Sequence, residues 1–148
     1  MSPAIFLPLL RELAGSYQAF EVYSAVHIRS LGLTPAQFDI VATLGNTLGM
    51  SPKELGKRTL ITKGTLTGVV DRLADKKLVA RVASSKDRRC QIIKLTELGE
   101  KLFARIFPAH IRYMQRVFAE ISPKELLLMA ATLRRLREAF SAAHSSIS

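Results

Sequence analysis

The sequence predicts a mainly α-helical chain interrupted once, by a β-hairpin, and three observations carry that prediction. The segments "TPAQ" (34–37), "SPKE" (51–54) and "SPKE" (122–125) share one grammar. A Ser or Thr can cap, a Pro suits the first helical position, and a Gln or Glu three residues on closes a capping box. Long stretches at both ends carry apolar residues at helical spacing. In the middle, two short β-branched runs, "LVARVA" and "QIIKL", flank the charged loop "SSKDRRC" (84–90).

The elements follow in order. Over 4–30, Ile5, Phe6, Leu9, Leu10, Leu13, Tyr17, Phe20 and Val26 recur at helical spacing, and Gly32 supplies a stop. Residues 35–46 and 52–58 read as shorter helices. Thr62 opens a helix over 63–76 whose apolar stripe is Leu66, Val69, Val70 and Leu73, with Lys63, Thr65, Thr67, Arg72 and Lys76 largely off it. Strands at 78–83 and 91–95 form the hairpin. Thr96 opens a long helix to about 120, which Pro108 is expected to bend, and a last helix covers 123–143 before the tail "SAAHSSIS", expected to fray. No linker or repeat breaks this order, so residues 1–148 read as one domain. Within it, 34–96 form the compact middle and 4–30 and 97–143 the flanking helices.

The 148 residues suffice for one core, and with 48% apolar residues the chain is not a disordered one. No apolar run reaches a membrane span, and the N-terminus lacks the basic start of a signal peptide. The single cysteine, Cys90, leaves no intramolecular disulfide and fits a reducing cytoplasm. The net charge is +10 and unevenly placed: residues 51–95 hold 12 Lys/Arg against 4 Asp/Glu, leaving 10 against 8 in the rest. A basic middle on near-neutral flanks suits a polyanion-binding module.

Catalysis finds no support. His27, His110 and His144 lie on different segments and read as packed or surface residues. There is no HExxH, no metal-ligand spacing, and no phosphate loop, since "LITKGTLTG" lacks the required spacing. No cofactor is expected.

The segment 51–76 carries the functional signal. A short helix capped by Ser51, the turn "TLI" and a second helix are helix-turn-helix geometry. The second helix begins with Thr62, Lys63, Gly64, Thr65 and then Thr67: hydroxyls that can meet bases or phosphates, and a glycine that permits close approach. Arg72, Lys76 and Lys77 suit backbone contacts further along. A basic-tipped hairpin directly after such a pair is a wing, whose Lys86, Arg88 and Arg89 can reach the neighbouring minor groove. Asp87 would repel phosphate there, but a carboxylate one residue removed from Arg89 can hold its guanidinium in one orientation. The fold class expected is therefore a mainly α winged helix-turn-helix with a two-stranded β wing and long terminal helices. The function expected is sequence-specific binding of double-stranded DNA, the alternative being a winged-helix protein-interaction module without a specific DNA site.

From 33 to 103 the sequence resembles the MarR family of bacterial transcription regulators. The helix-turn-helix, "LTGVVDRL", the Asp-x-Arg of Asp87 and Arg89, and "LTELGE" occur in the family's order. The resemblance implies a dimer built by the terminal helices and a pseudo-palindromic operator. It implies that Thr62–Thr67 face the major groove and that Arg89 enters the minor groove. The function expected is then that of a homodimeric repressor, and the resemblance also implies release by a small aromatic or carboxylate effector or by cysteine oxidation. Lys77 departs from the pattern: the family has glycine there, and lysine would cost about 1 kcal/mol if the left-handed helix stop were kept.

Apart from the resemblance, the first helix spans about 40 Å and needs cover for its apolar face, which a homodimer would provide. Tyr17, Phe20, Tyr23 and His27 recur on it every three or four residues. They suit either a dimer core, the favoured reading, or a pocket for an effector. Cys90 reads as a small filler at the start of the second wing strand rather than a redox switch.

Overall fold

The computed structural model describes Ser2 and residues 4–147. Its elements run α1 (Leu7–Ser30), α2 (Pro35–Leu44), α3 (Pro52–Arg58), α4 (Lys63–Asp75), β1 (Val79–Ala83), β2 (Gln91–Leu95), α5 (Glu97–Gln115) and α6 (Pro123–Ile147). The chain divides into two compact units, Met1–Ile111 and Arg112–Ser148. Among the described residues no helix is long and apolar enough to cross a membrane.

The helix starts are local chemistry. Thr34 and Gln37 close a full capping box on α2: the Gln37 N–H donates to Thr34 Oγ1 at 3.2 Å and the Thr34 N–H to Gln37 Oε1 at 3.1 Å. The two "SPKE" boxes form by half. Ser51 and Ser122 accept from the N–H of Glu54 and Glu125 at 3.1 and 3.2 Å, while the Glu54 carboxylate turns along its own helix to Arg58 at 2.7 Å. α1 begins at Leu7 rather than 4, because Ala4–Phe6 form a turn. It ends as expected at Gly32 (φ +83°), where the Leu33 and Gly32 N–H groups reach the Ile28 and Arg29 carbonyls.

α2 stops at Leu44, two residues short of expectation. A Cβ on Gly45 would overlap the Phe103 ring, so glycine lets α5 lie against the end of α2. The wing is antiparallel, with Val79 opposite Leu95 and Arg81 opposite Ile93. Met50 adds a further bridge to Ile93, so β2 is held on both sides at that residue. The core of the first unit is contributed by α2 (Ile40, Val41, Leu44), α3 (Leu55), α4 (Val70, Leu73) and α5 (Ile106). It anchors both the helix-turn-helix and the base of the wing.

α5 runs through Pro108 but ends at Gln115, not 120; residues 116–120 are turns. In the second unit α6 continues to Ile147, so the tail expected to fray is helical, and no residue of α6 is buried.

Candidate nucleic-acid interface

α3 and α4 are joined by a turn fixed from two sides. The buried Thr59 hydroxyl donates to the Leu55 carbonyl at 2.9 Å, and the Leu60 N–H donates to Asp39 Oδ2 on α2 at 2.9 Å. Burial pushes the Asp39 carboxyl above its usual range, against the downward pull of the Leu60 N–H. Sequence reading missed Asp39, because its partner lies 21 residues away and no periodicity links them.

α4 turns Leu66, Val69, Val70 and Leu73 into the core, so its other face is free. Thr62, Lys63, Gly64, Thr65, Thr67 and Arg72 are all exposed. The Thr62 hydroxyl does not cap the helix as expected; it donates to Thr65 Oγ1 at 3.0 Å. A Cβ on Gly64 would meet nothing within 4 Å, so internal packing gives no reason for glycine there. Ser51 is half-buried, with its oxygen engaged as the α3 cap.

The departure at position 77 left the end of the helix open, and the structure keeps the usual stop. Lys77 adopts φ +65°, and the Leu78 and Lys77 N–H groups bond the Leu73 and Ala74 carbonyls. The left-handed stop is thus kept with a lysine in it. The Thr96 hydroxyl donates to the Lys77 carbonyl at 2.6 Å and accepts from the Gly99 N–H at 3.0 Å, so one side chain holds the helix stop and caps α5.

In the wing loop, Asp87 organises the tip. Its Oδ1 accepts from the Arg89 N–H at 3.0 Å and faces Arg89 Nε at 3.4 Å, and its carbonyl accepts from the Cys90 N–H at 2.9 Å. The Arg89 side chain is 92% exposed, and Lys86 and Arg88 are exposed beside it. Cys90 is exposed in the turn before β2 rather than filling the strand, with Sγ 3.8 Å from Asp87 Oδ2. At the wing base, Arg81 of β1 bonds Asp71 of α4, a pair that the sequence reading passed over.

The first-helix candidates separate. Tyr17 and Phe20 lie with ring centroids 6.2 Å apart and are largely exposed. The Tyr17 phenol is shifted upward, first by its hydrogen bond to Glu21, then by burial and the charges of Glu21 and Asp39. Tyr23 and His27 are half-buried. His27, read as remote from the other histidines, instead meets the buried His110, with Nδ1 atoms 2.9 Å apart.

A helix-turn-helix with an exposed, hydroxyl-rich recognition turn and a basic wing defines a winged-helix DNA-binding protein. A model of the MarR family matches residues 31–89. The chain is 30% identical over 130 residues to the HTH-type transcriptional regulator MhqR of Bacillus subtilis, covering 88% of this chain and 90% of that protein. It is 30% identical over 108 residues to the B. subtilis transcriptional repressor MdtR, covering 73% and 70%. Among solved structures, BpsR of Bordetella bronchiseptica, whose DNA binding is regulated by 6-hydroxynicotinic acid, superposes with a TM-score of 0.79 at 26% identity, covering 93% of this chain and 98% of that one. The chain belongs to the MarR family. It is a DNA-binding transcriptional regulator, not an enzyme.

Proposed function

We propose that the chain is a homodimeric, sequence-specific repressor that works in the cytoplasm and is released from a pseudo-palindromic operator by a small aromatic or carboxylate effector. The observation that carries the DNA-reading part is the pairing of an open α4 N-terminal turn with a wing tip whose one acid is turned onto its own arginine. Thr62, Lys63, Gly64, Thr65 and Thr67 meet base edges and phosphates of the major groove. Arg72, Lys86 and Arg88 meet phosphate, Arg89 enters the minor groove, and Ser51 stands at the backbone edge of α3. The module is 34–96.

The dimer reading is supported by apolar surface without cover in the single chain. On α1, Leu7, Leu9, Tyr17, Phe20, Val22 and Val26 are exposed; on α6, Leu127, Leu128, Leu133 and Phe140. Single apolar residues at a surface are ordinary, but rows of this length are not. A second copy covers them and relates two recognition helices by one two-fold axis. Repression is supported by the relative named a repressor, and a small aromatic acid by the regulation named for BpsR. Tyr17, Phe20, Tyr23 and His27 offer rings with polar tips that suit such a ligand.

Nuclease protection on fragments upstream of the chain's own gene, at several salt concentrations, tests the reading. A discrete two-half-site footprint with steep salt dependence is expected. Binding without a footprint overturns sequence specificity, and a monomer at micromolar concentration in light scattering overturns the dimer.

A further inference from the structure

From the geometry of the wing base we infer that Arg81 and Asp71 are a positioning pair for DNA binding: they fix the angle of the wing to the recognition helix and touch no DNA themselves. The inference rests on the reading of α4 and the wing as the two DNA-reading elements.

β1 leaves the core at Arg81. Val79 is buried, Ala80 is half-buried, and Arg81, Val82 and Ala83 are exposed. Side chains alternate along a strand, so Arg81 shares the face of Val79, the face that β1 turns to the core. Its cross-strand partner Ile93 is buried and bonded to Met50. From that fixed point the Arg81 guanidinium reaches Asp71 Oδ1 on α4, tying helix to wing two residues before the loop begins. The Arg81 side chain is only 31% exposed against 56% for Asp71, so it lies along the protein more than it projects into solvent. In a basic module Asp71 would repel the phosphates that its neighbour Arg72 attracts, and pairing it with Arg81 removes that cost.

The lever explains why the angle matters. Two strand residues, Val82 and Ala83, separate Arg81 from the loop, so the loop begins three steps on, about 10 Å at the usual rise of ~3.3 Å per residue. A 10° swing at Arg81 moves the start of the loop by about 2 Å, a third of the ~6 Å width of the minor groove, and the tip by more. An exposed ion pair adds little to stability, yet it can select one wing angle among several.

The test uses the full-length chain and a 30-base-pair duplex selected by the wild type from a randomised pool, with a scrambled duplex as control. Arg81→Ala and Asp71→Asn change the local charge in opposite directions. Pure electrostatics has the first weaken binding and the second tighten it. Positioning has both weaken binding to the selected duplex by roughly tenfold, with the scrambled duplex nearly unchanged and any change of salt slope the same in the two variants. The exchanged double variant Asp71→Arg/Arg81→Asp recovers part of the loss, and Arg81→Lys recovers some. Adding Arg89→Ala costs less in the Arg81→Ala background than in wild type, because a misplaced wing has less to lose. Asp71→Asn is nearly isosteric on an exposed helix face and keeps the test valid should Arg81→Ala unfold. Tighter binding by Asp71→Asn, or a salt slope flattened by about 0.9 per subunit in Arg81→Ala and unchanged in Asp71→Asn, as for a phosphate contact made by Arg81 itself, overturns the inference. Failure of the wild type to select any duplex overturns the DNA reading itself, and this inference with it.

Discussion

His27 of α1 and His110 of α5 meet through their Nδ1 atoms, 2.9 Å apart, with the rings stacked at 21°. Ser24 Oγ lies 3.3 Å from the other nitrogen of His110, and the Phe38 ring of α2 packs on the same imidazole at 4.6 Å. One imidazole must donate and the other accept, so the contact holds a single proton. If both rings are charged, two N–H groups face each other and the contact breaks.

The pair predicts acid sensitivity of the fold. Burial first, and the neighbouring His27 second, hold the His110 pKa below its ordinary 6.5. A base whose folded pKa is depressed binds its proton better when unfolded. Its contribution is therefore complete above pH ~6.5 and is lost as pH falls through that value toward the folded pKa. Asp39, with its carboxyl pushed up from 3.8, acts in the opposite sense at lower pH, so the useful window is pH 7 to 5. The midpoint of thermal unfolding is expected to drop across it, and His110→Gln to flatten the drop. A wild-type midpoint that holds steady or rises from pH 7 to 5 contradicts this account.

A second prediction concerns position 77. Lys77 sits at φ +65°, a conformation that costs a non-glycine residue roughly 1–2 kcal/mol. Glycine removes that cost but loses more chain entropy on folding. Lys77→Gly is expected to stabilise the chain by roughly 0.5–1 kcal/mol in denaturant titration, with the Thr96 bond to the backbone carbonyl intact. A destabilised variant would mean that the lysine side chain contributes more in that position than its strain costs.

What the sequence disclosed and what it withheld divide along chain distance. The cap of α2 was legible because Thr34 and Gln37 are three residues apart, and the stop at Gly32 because its bonds span five. The wing was legible from two β-branched runs around a charged loop. The end of α5 at Gln115 was not, since neither glycine nor proline marks it, and the helical tail to Ile147 was hidden by serines that prefer caps. At the candidate site, exposure of Thr62, Lys63, Gly64, Thr65 and Thr67 followed from the apolar stripe of α4. The supports did not: Leu60 to Asp39, Thr96 to Lys77 and His27 to His110 are 21, 19 and 83 residues apart. Periodicity says which face of a helix is buried, not what meets it there.

A third prediction uses Gly64, which stands in the first turn of α4 with open space where its Cβ would be. Alanine there is expected to raise stability by roughly 0.5–1 kcal/mol, the usual helix preference over glycine. If the glycine exists to let DNA approach, the same variant binds the selected duplex several-fold more weakly. Opposite signs in unfolding and binding distinguish a surface kept small for a ligand from a helix position of no consequence. Equal or tighter binding by Gly64→Ala removes Gly64 from the interface.

The last prediction dissects the wing. Arg89→Ala is expected to weaken operator binding by roughly 1–3 kcal/mol, as for loss of one well-placed base contact. The loss should be greater beside an A·T-rich flank, whose narrow groove holds a guanidinium best. Arg88 has no such carboxylate contact; its alanine variant should weaken all sequences alike and flatten the salt slope by about one contact per subunit. Asp87 gives the sharper comparison, because its Oδ1 serves both the backbone N–H and the Nε of Arg89. Asp87→Ala removes both contacts. Asp87→Asn keeps an oxygen for the N–H but discards the charge that orients the guanidinium. Both variants remove a negative charge from the basic wing loop, so electrostatics alone has both tighten binding. An orienting carboxylate has both weaken it, alanine more than asparagine, with the A·T preference fading in step. Tighter binding by Asp87→Asn with the flank preference intact would leave Asp87 a builder of the turn and nothing more.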